Sequence, residues 1–284
     1  MEIKKVMVIG AGQMGGGIAQ IVAQAGVEVL LNDAFPEAID KRITFIEGLL
    51  TKNVTKGRMT EEEKAATLAN IKPCKDIKEA SDVDLVIEAI IENMDIKKEL
   101  LKNLSDILSD DAIYASNTSS LPITDLATAY KDPTKVIGMH FFNPVPVMKL
   151  IELIRGIRTS DETYETVKAL GEKIGKTTVQ INDFPGFAVN RILIPMLNEA
   201  INTLYTGVAS AEDIDNAMKL GANHPMGPLA LADFIGLDTV LSILNVLYTG
   251  FGDQKYAPSP LLVNYVRAGW LGVKSGKGFY DYNK

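Results

Sequence analysis

The chain has 284 residues, 46% of them hydrophobic and 23% charged, enough for two cores at the usual size of about 100 to 200 residues per domain. Its formal net charge of -7 disfavours any general attraction to nucleic acid or an anionic membrane, so an anionic ligand needs a local basic site. A single cysteine, Cys74, excludes an intrachain disulfide and a cysteine-based metal cluster; with no apolar run fit for a signal peptide or a span of roughly 18 residues, a cytoplasmic protein is expected, with no membrane, nucleic-acid or metal partner.

Through the first half, short β-branched runs alternate with longer amphipathic stretches. The pattern predicts strands over 5–9, 28–32, 84–91, 112–115 and 135–140, with the continuous apolar character of strands buried on both faces of a parallel sheet. Between the second and third of these, residues 36 to 70 are rich in Lys, Glu and Thr. Ile39, Ile43, Ile46 and Leu50 repeat at helical spacing, and Thr60 followed by three glutamates resembles a capping box. This segment is expected to form a helical hairpin projecting from the sheet.

A strand-like run over 149–154 and a last strand over 177–181 precede the turn cluster Asp183-Phe-Pro-Gly186. Beyond it only helical patterns appear, near 187–205, 211–219, 227–249 and 258–268. The expected organisation is an α/β domain over 1–183 with a mainly parallel sheet and a helical-hairpin insertion, followed by an all-α domain over 184–284.

Residues 6–33 carry the first chemical signal. Gly10, Gly12 and Gly15 form G-x-G-x-x-G directly after a predicted strand and before a helix rich in Ala, Ile and Val. The first glycine permits the tight turn, the second lets backbone approach a pyrophosphate, and the third lets helix and strand pack closely. Unpaired N–H groups and the dipole at the helix start attract the phosphates. Asp33, 18 residues past Gly15 at the end of the return strand, stands near the spacing of a carboxylate that binds the ribose hydroxyls of NAD. The unit reads as a Rossmann-type dinucleotide site. A 2'-phosphate about 4 Å from Asp33 would cost from about 1 kcal/mol in water to about 4 at an effective dielectric of 20, and Asn32, Ala34 and Phe35 supply no arginine to offset it. NAD(H) is therefore expected over NADP(H).

His140, one of two histidines, ends a predicted strand, where ligands of doubly wound sheets bind. Phe-Asn-Pro-Val-Pro then forbids a helix, so the chain must loop before residues 149–154, and that reversal can bring Glu152 beside His140. If they meet, the carboxylate fixes the imidazole tautomer and favours its charged form. Hydride transfer to or from a carbinol carbon needs such an acid/base group for the oxygen. The hydroxyls of Ser-Asn-Thr-Ser-Ser over 116–120 follow another strand end, and Asn190 falls on the first turns of the first helix beyond 186. Each has a plainer use, as a turn or a solvated side chain. His224 is assigned no chemistry, a helix cap being one plainer use for it.

Together GAGQMG with Asp33, VIEAIIEN at 86–93, SNTSS at 116–120, HFFNPVPVMKLIE at 140–152, DFPGFAVNRILIPMLNEA at 183–200, NHPMGPLALADFIGLD at 223–238 and the closing KSGKGFYDY resemble the L-3-hydroxyacyl-CoA dehydrogenases, most closely their short-chain 3-hydroxybutyryl-CoA branch in bacterial butyrate and butanol metabolism. The resemblance runs nearly end to end. It implies NAD-dependent interconversion of a 3-ketoacyl-CoA and an (S)-3-hydroxyacyl-CoA, acetoacetyl-CoA and 3-hydroxybutyryl-CoA in the short-chain case. It further implies His140 as acid/base, Glu152 as its orienting partner, and Ser119 and Asn190 on the reacting oxygen. Gln13 and Met14 would lie with the glycines on the cofactor, and Glu92, Lys97, Asn143 and Lys274 around cofactor and substrate. The hairpin would meet the CoA, making Lys52, Lys56 and Arg58 candidates for its phosphates, and the helical domain would form a homodimer contact. Two rival readings stay open: a dehydrogenase of a free hydroxy acid, and a non-catalytic NAD-binding module.

Overall fold

A computed structural model describes residues 1–283 and divides the chain into two compact units, Met1–Phe184 and Pro185–Lys284. In the first, β1 (Lys5–Ile9), α1 (Gln13–Gln24) and β2 (Glu28–Asn32) form the opening βαβ unit. Next come α2 (Pro36–Thr55), α3 (Glu61–Ala69) and β3 (Ile71–Cys74), then β4 (Leu85–Glu88), α4 (Met94–Ser105), β5 (Ile113–Ser116) and the short α5 (Ile123–Leu126). The unit closes with β6 (Val136–Phe141), β7 (Leu150–Arg155), α6 (Asp161–Lys173) and β8 (Thr177–Asn182).

The eight strands form one sheet in the order β3-β2-β1-β4-β5-β6-β7-β8. Every neighbouring pair is parallel except β6 with β7. Order reverses between β1 and β4, the kind of switch point where doubly wound sheets bind ligands. Strands β1, β4, β5 and β6 are almost wholly buried, as expected of a sheet covered on both faces.

The hairpin exists, with the capping box as read: Thr60 Oγ1 accepts from Glu63 N–H at 3.1 Å and Glu63 Oε2 accepts from Thr60 N–H at 2.8 Å. It is less of a projection than the composition suggested. Ile39, Ile46 and Leu50 are buried in the same core as Val8 and Leu31, each worth about 1.5–3 kcal/mol relative to exposure. It also delivers the chain into a strand that the pattern did not foretell. In β3 only Ile71 and Cys74 are buried, and Pro73 is tolerated because the strand lies at the sheet edge. Burial pushes the Cys74 thiol up to about 11, so it stays protonated at neutral pH.

A second difference concerns β4, which stops at Glu88 rather than continuing to Ile91. Gly10 explains the stop: at φ +105° it turns so tightly that a Cβ there would lie 2.4 Å from the carbonyl oxygen of Ala89. The chain beyond Glu88 is therefore the wall of the glycine turn.

The second unit is helical: α7 (Val189–Tyr205), α8 (Ala211–Gly221), α9 (Pro228–Ile235), α10 (Leu237–Phe251) and α11 (Pro260–Arg267). They enclose a core that includes Leu197, Leu229, Val240 and Leu244. The single pattern read over 227–249 is two helices, bent by 96° where Gly236 takes φ +101°. A glycine inside an apolar repeat does not disturb the repeat, so the break is invisible to periodicity.

Candidate active site

The glycine turn comes first along the chain. Gly15 packs so closely that a Cβ would fall 1.8 Å from the carbonyl oxygen of Gly10, whereas a Cβ on Gly12 would meet nothing within 4 Å. Gly10 and Gly15 thus serve the fold, while Gly12 borders open space. There α1 begins with no side-chain cap and no acidic residue in its first turn, which suits an anionic group. Asp33 follows β2 and is half-buried. Its Oδ2 accepts from Ala11 N–H at 2.7 Å and its Oδ1 from Phe35 N–H at 2.9 Å, which aims the carboxylate across the turn. These features fit the pyrophosphate and ribose of a dinucleotide. Gln13 and Met14 open α1, and Gln13 Nε2 donates to Asn143 Oδ1 at 2.9 Å.

The antiparallel pair supplies the second component. In its register Gly138 faces Ile154 and His140 faces Glu152, so the twelve-residue separation closes into direct opposition. His140 Nδ1 and Glu152 Oε2 are 2.8 Å apart, the carboxylate fully buried and the ring nearly so. Burying a carboxylate inside a strand is costly unless it is paired, and the imidazole is that partner. An ionised Glu152 only accepts. Nδ1 then carries the proton. The ring also packs against Phe142 at 4.6 Å between centroids.

The serine-rich loop reaches the same end of the sheet because both neighbours hold it. Asn117 N–H donates to the carbonyl of Glu88 at 2.7 Å, and Asn117 Oδ1 accepts from Phe141 N–H at 2.9 Å. Glu92 Oε1 accepts from Thr118 Oγ1, Ser119 N–H, Ser120 N–H and Ser120 Oγ at 2.6, 2.9, 3.2 and 3.1 Å. Lys97 is buried beneath, its Nζ 2.5 Å from Glu88 Oε1 and 3.5 Å from Glu92 Oε2.

A cavity of about 990 Å³ opens along α1 and α2, walled by Gly12, Asp33 and the loop from Asn143 to Val147. Lys52 and Lys56 line it and Arg58 does not; Arg58 lies in the turn between α2 and α3. Lys41, Arg42 and Phe45 also face this cavity, and sequence reading passed them over. The signal was present: Lys41, Phe45, Leu49, Lys52 and Lys56 recur at helical spacing on the face of α2 away from the core. Arg42 Nε donates to the carbonyl of Ala11 at 2.9 Å, tying the helix to the glycine turn. In the second unit, Asn190 sits on the first turn of α7. Lys274 pairs with Asp238 on the first turn of α10.

Carboxylate-braced imidazole, nucleotide turn and basic cavity define an α/β dehydrogenase, and comparison with known proteins narrows the class. The family model for the 3-hydroxyacyl-CoA dehydrogenase NAD binding domain matches residues 5–184, and that for the 3-hydroxyacyl-CoA dehydrogenase C-terminal domain matches residues 186–282. The chain belongs to the 3-hydroxyacyl-CoA dehydrogenase family and is an oxidoreductase whose cofactor is NAD(H). It is 57% identical to the Bacillus subtilis protein named Probable 3-hydroxybutyryl-CoA dehydrogenase, over 100% of this chain and 99% of that one. With the 3-hydroxybutyryl-CoA dehydrogenase of Clostridioides difficile it shares 54% identity over 99% of this chain and 100% of the other. The crystal structure of (S)-3-hydroxybutyryl-CoA dehydrogenase from Ralstonia eutropha superposes with a TM-score of 0.98 at 49% identity, covering 100% of both chains.

Proposed function

We propose that the protein interconverts acetoacetyl-CoA and (S)-3-hydroxybutyryl-CoA, with His140 as the acid/base. The observation that carries the reading is the buried 2.8 Å contact of His140 Nδ1 with Glu152 Oε2, held by strand register at the end of the sheet. The names of the relatives support the substrate.

When bound, NADH supplies the hydride that reduces C3 of the ketoacyl group. His140, protonated on both ring nitrogens, gives the Nε2 proton to the oxygen on that carbon and takes it back in the oxidising direction. Glu152 holds the ring and stabilises the imidazolium. Ser119 and Asn190 are assigned to that oxygen, where donors aimed at developing charge lower the barrier. Asp33 accepts from the ribose hydroxyls, Gly12 admits the pyrophosphate, and Gly10, Gly15, Gln13 and Met14 shape the turn. Glu92, Lys97, Asn143 and Lys274 lie around cofactor and substrate in this reading. Lys52 and Lys56, joined by Lys41 and Arg42, meet the CoA phosphates; Arg58 is the weakest of that group because it does not line the cavity. The enzyme works as a cytoplasmic homodimer joined through the helical unit.

One assay tests the whole reading: NADH and NADPH oxidation measured with acetoacetyl-CoA, longer 3-ketoacyl-CoAs and free acetoacetate. Turnover of acetoacetyl-CoA with NADH, far above that of free acetoacetate, is expected. Equal rates with the free acid would remove the CoA assignment, and no turnover of any of them would remove the catalytic one.

A further inference from the structure

Beneath the serine-rich loop, Glu88 ends β4 with no exposure to solvent, and the assignments above give it no role. Two donors meet each of its oxygens. Ile90 N–H at 2.8 Å and Lys97 Nζ at 2.5 Å lie on Oε1; Tyr114 Oη at 3.2 Å and Ser116 Oγ at 2.8 Å lie on Oε2. That fills the roughly four lone-pair sites of a carboxylate. Burial first, and the adjacent carboxylate second, push the Tyr114 hydroxyl well above its ordinary value, so it remains a donor.

Lys97 links this anchor to the site. Its ammonium is enclosed between the buried Glu88 and the half-exposed Glu92, at 2.5 and 3.5 Å. Glu92 meets the ammonium through Oε2 and spends Oε1 on the loop from Thr118 to Ser120. The path therefore runs from a strand end, through one lysine and one carboxylate, to the backbone of Ser119. A buried ion pair is a weak source of net stability, since apolar residues of like volume often serve as well. Placement is what this pair supplies that apolar residues could not.

We propose that Glu88 is a positioning residue for the reaction: by anchoring Lys97 it lets Glu92 engage the ammonium with one oxygen and hold the Ser119 loop with the other. The inference rests on the assignment of Ser119 to the substrate oxygen. In Glu88→Gln the ammonium loses its buried counter-charge and draws on both oxygens of Glu92. The loop then loses the acceptor shared by three of its residues, and Ser119 leaves its place.

The test combines amide hydrogen exchange with steady-state kinetics on the full-length enzyme, for Glu88→Gln, Ser119→Ala and the double variant. In Glu88→Gln the amides of Ser119 and Ser120 should exchange at least several-fold faster, with those of β5 unchanged. Its kcat for acetoacetyl-CoA reduction should fall roughly 10-fold to 10²-fold, the scale of a small misplacement, with KM for the thioester little changed. The double variant should be no slower than Ser119→Ala alone, because coupled residues are not additive. Unaltered exchange at Ser119 and Ser120, or losses that multiply, would overturn the proposal. Faster exchange alongside a fully active Ser119→Ala would support the bracing while removing the role of Ser119. Should Glu88→Gln not fold, Glu88→Gln with Lys97→Met removes the ammonium that would compete for Glu92: Ser119 and Ser120 should then exchange about as slowly as in the wild type, and markedly faster exchange there overturns the proposal.

Discussion

The two halves of the sheet build function differently. In the parallel half, around β2, β1 and β4, the working groups lie beyond the strand ends: a glycine turn, the start of α1, and one carboxylate steadied by Ala11 and Phe35 N–H groups. In the antiparallel pair, His140 and Glu152 lie within strands, buried, and opposed by register. The first is open backbone at a helix start, and the second is a finished side-chain pair. A loop tolerates small shifts, whereas a slip of one residue between β6 and β7 would turn Glu152 to the other face of the sheet. The parallel half should therefore govern what binds, and the antiparallel pair how fast bound substrate reacts.

The sharpest break should come at the imidazole. His140→Gln should lower kcat by roughly 10²-fold or more, the scale of acid/base catalysis, with the NADH dissociation constant from fluorescence titration unchanged. Near wild-type turnover would remove His140 from the chemistry. Glu152→Gln should cost less, about 10-fold to 10²-fold in kcat, because the ring remains but its orientation and charge are no longer held. If both changes instead weakened NADH binding and spared kcat, the division between the halves would be wrong.

On the parallel side, Asp33→Ala should weaken NADH by about 1.5–3 kcal/mol, the range of a hydrogen bond to a charged group. NADPH should be hurt less or helped, because the repulsion toward a 2'-phosphate goes with the carboxylate. Titration of both cofactors checks this, and an unchanged preference would free the selectivity from Asp33. Two glycines sharpen the contrast. Gly12→Ala adds a methyl where nothing lies within 4 Å, so melting temperature should hold while NADH binding falls about 10-fold, equivalent to about 1.4 kcal/mol. Gly138→Ala would set its methyl 2.8 Å from Ile154 Cβ and 3.0 Å from Ile123 Cδ1. It should cost about 1–3 kcal/mol of stability, as overpacking does, seen as a lower melting temperature.

How far the sequence disclosed these features follows the same division. The glycine turn and Asp33 were legible because a turn that must approach phosphate restricts residue type at fixed spacing, whatever the rest of the fold does. His140 and Glu152 were legible because the prolines between them force a reversal, and a strand reversal sets its residues opposite one another. Strand β3 was not, since an edge strand needs little burial and tolerates Pro73. The bend at Gly236 was hidden inside an unbroken apolar repeat. Gly16 and Gly17 gave no sign of their use, which depends on distant partners: a Cβ on the first would lie 2.1 Å from Arg42 Cδ, and on the second 2.8 Å from Val145 Cβ. Glu88 stayed hidden for a related reason. A charged residue closing an apolar strand reads as the point where the strand meets water, and only the fold reveals a lysine nine positions on turned back to cover it.

The hairpin offers the mildest test, because its basic residues act at the surface. Lys52 and Lys56 line the cavity from the solvent side of α2, where an exposed charge pair contributes about 0.2–1 kcal/mol and is weakened by salt. Replacing both by Ala should raise KM for acetoacetyl-CoA a few-fold at low ionic strength and by less at high salt, with kcat at saturation unchanged. Arg58→Ala, outside the cavity lining, should do less than either lysine. A lowered kcat in the double lysine variant would mean that the hairpin shapes the reacting end of the substrate, and the separation of binding from rate would then fail on the parallel side first.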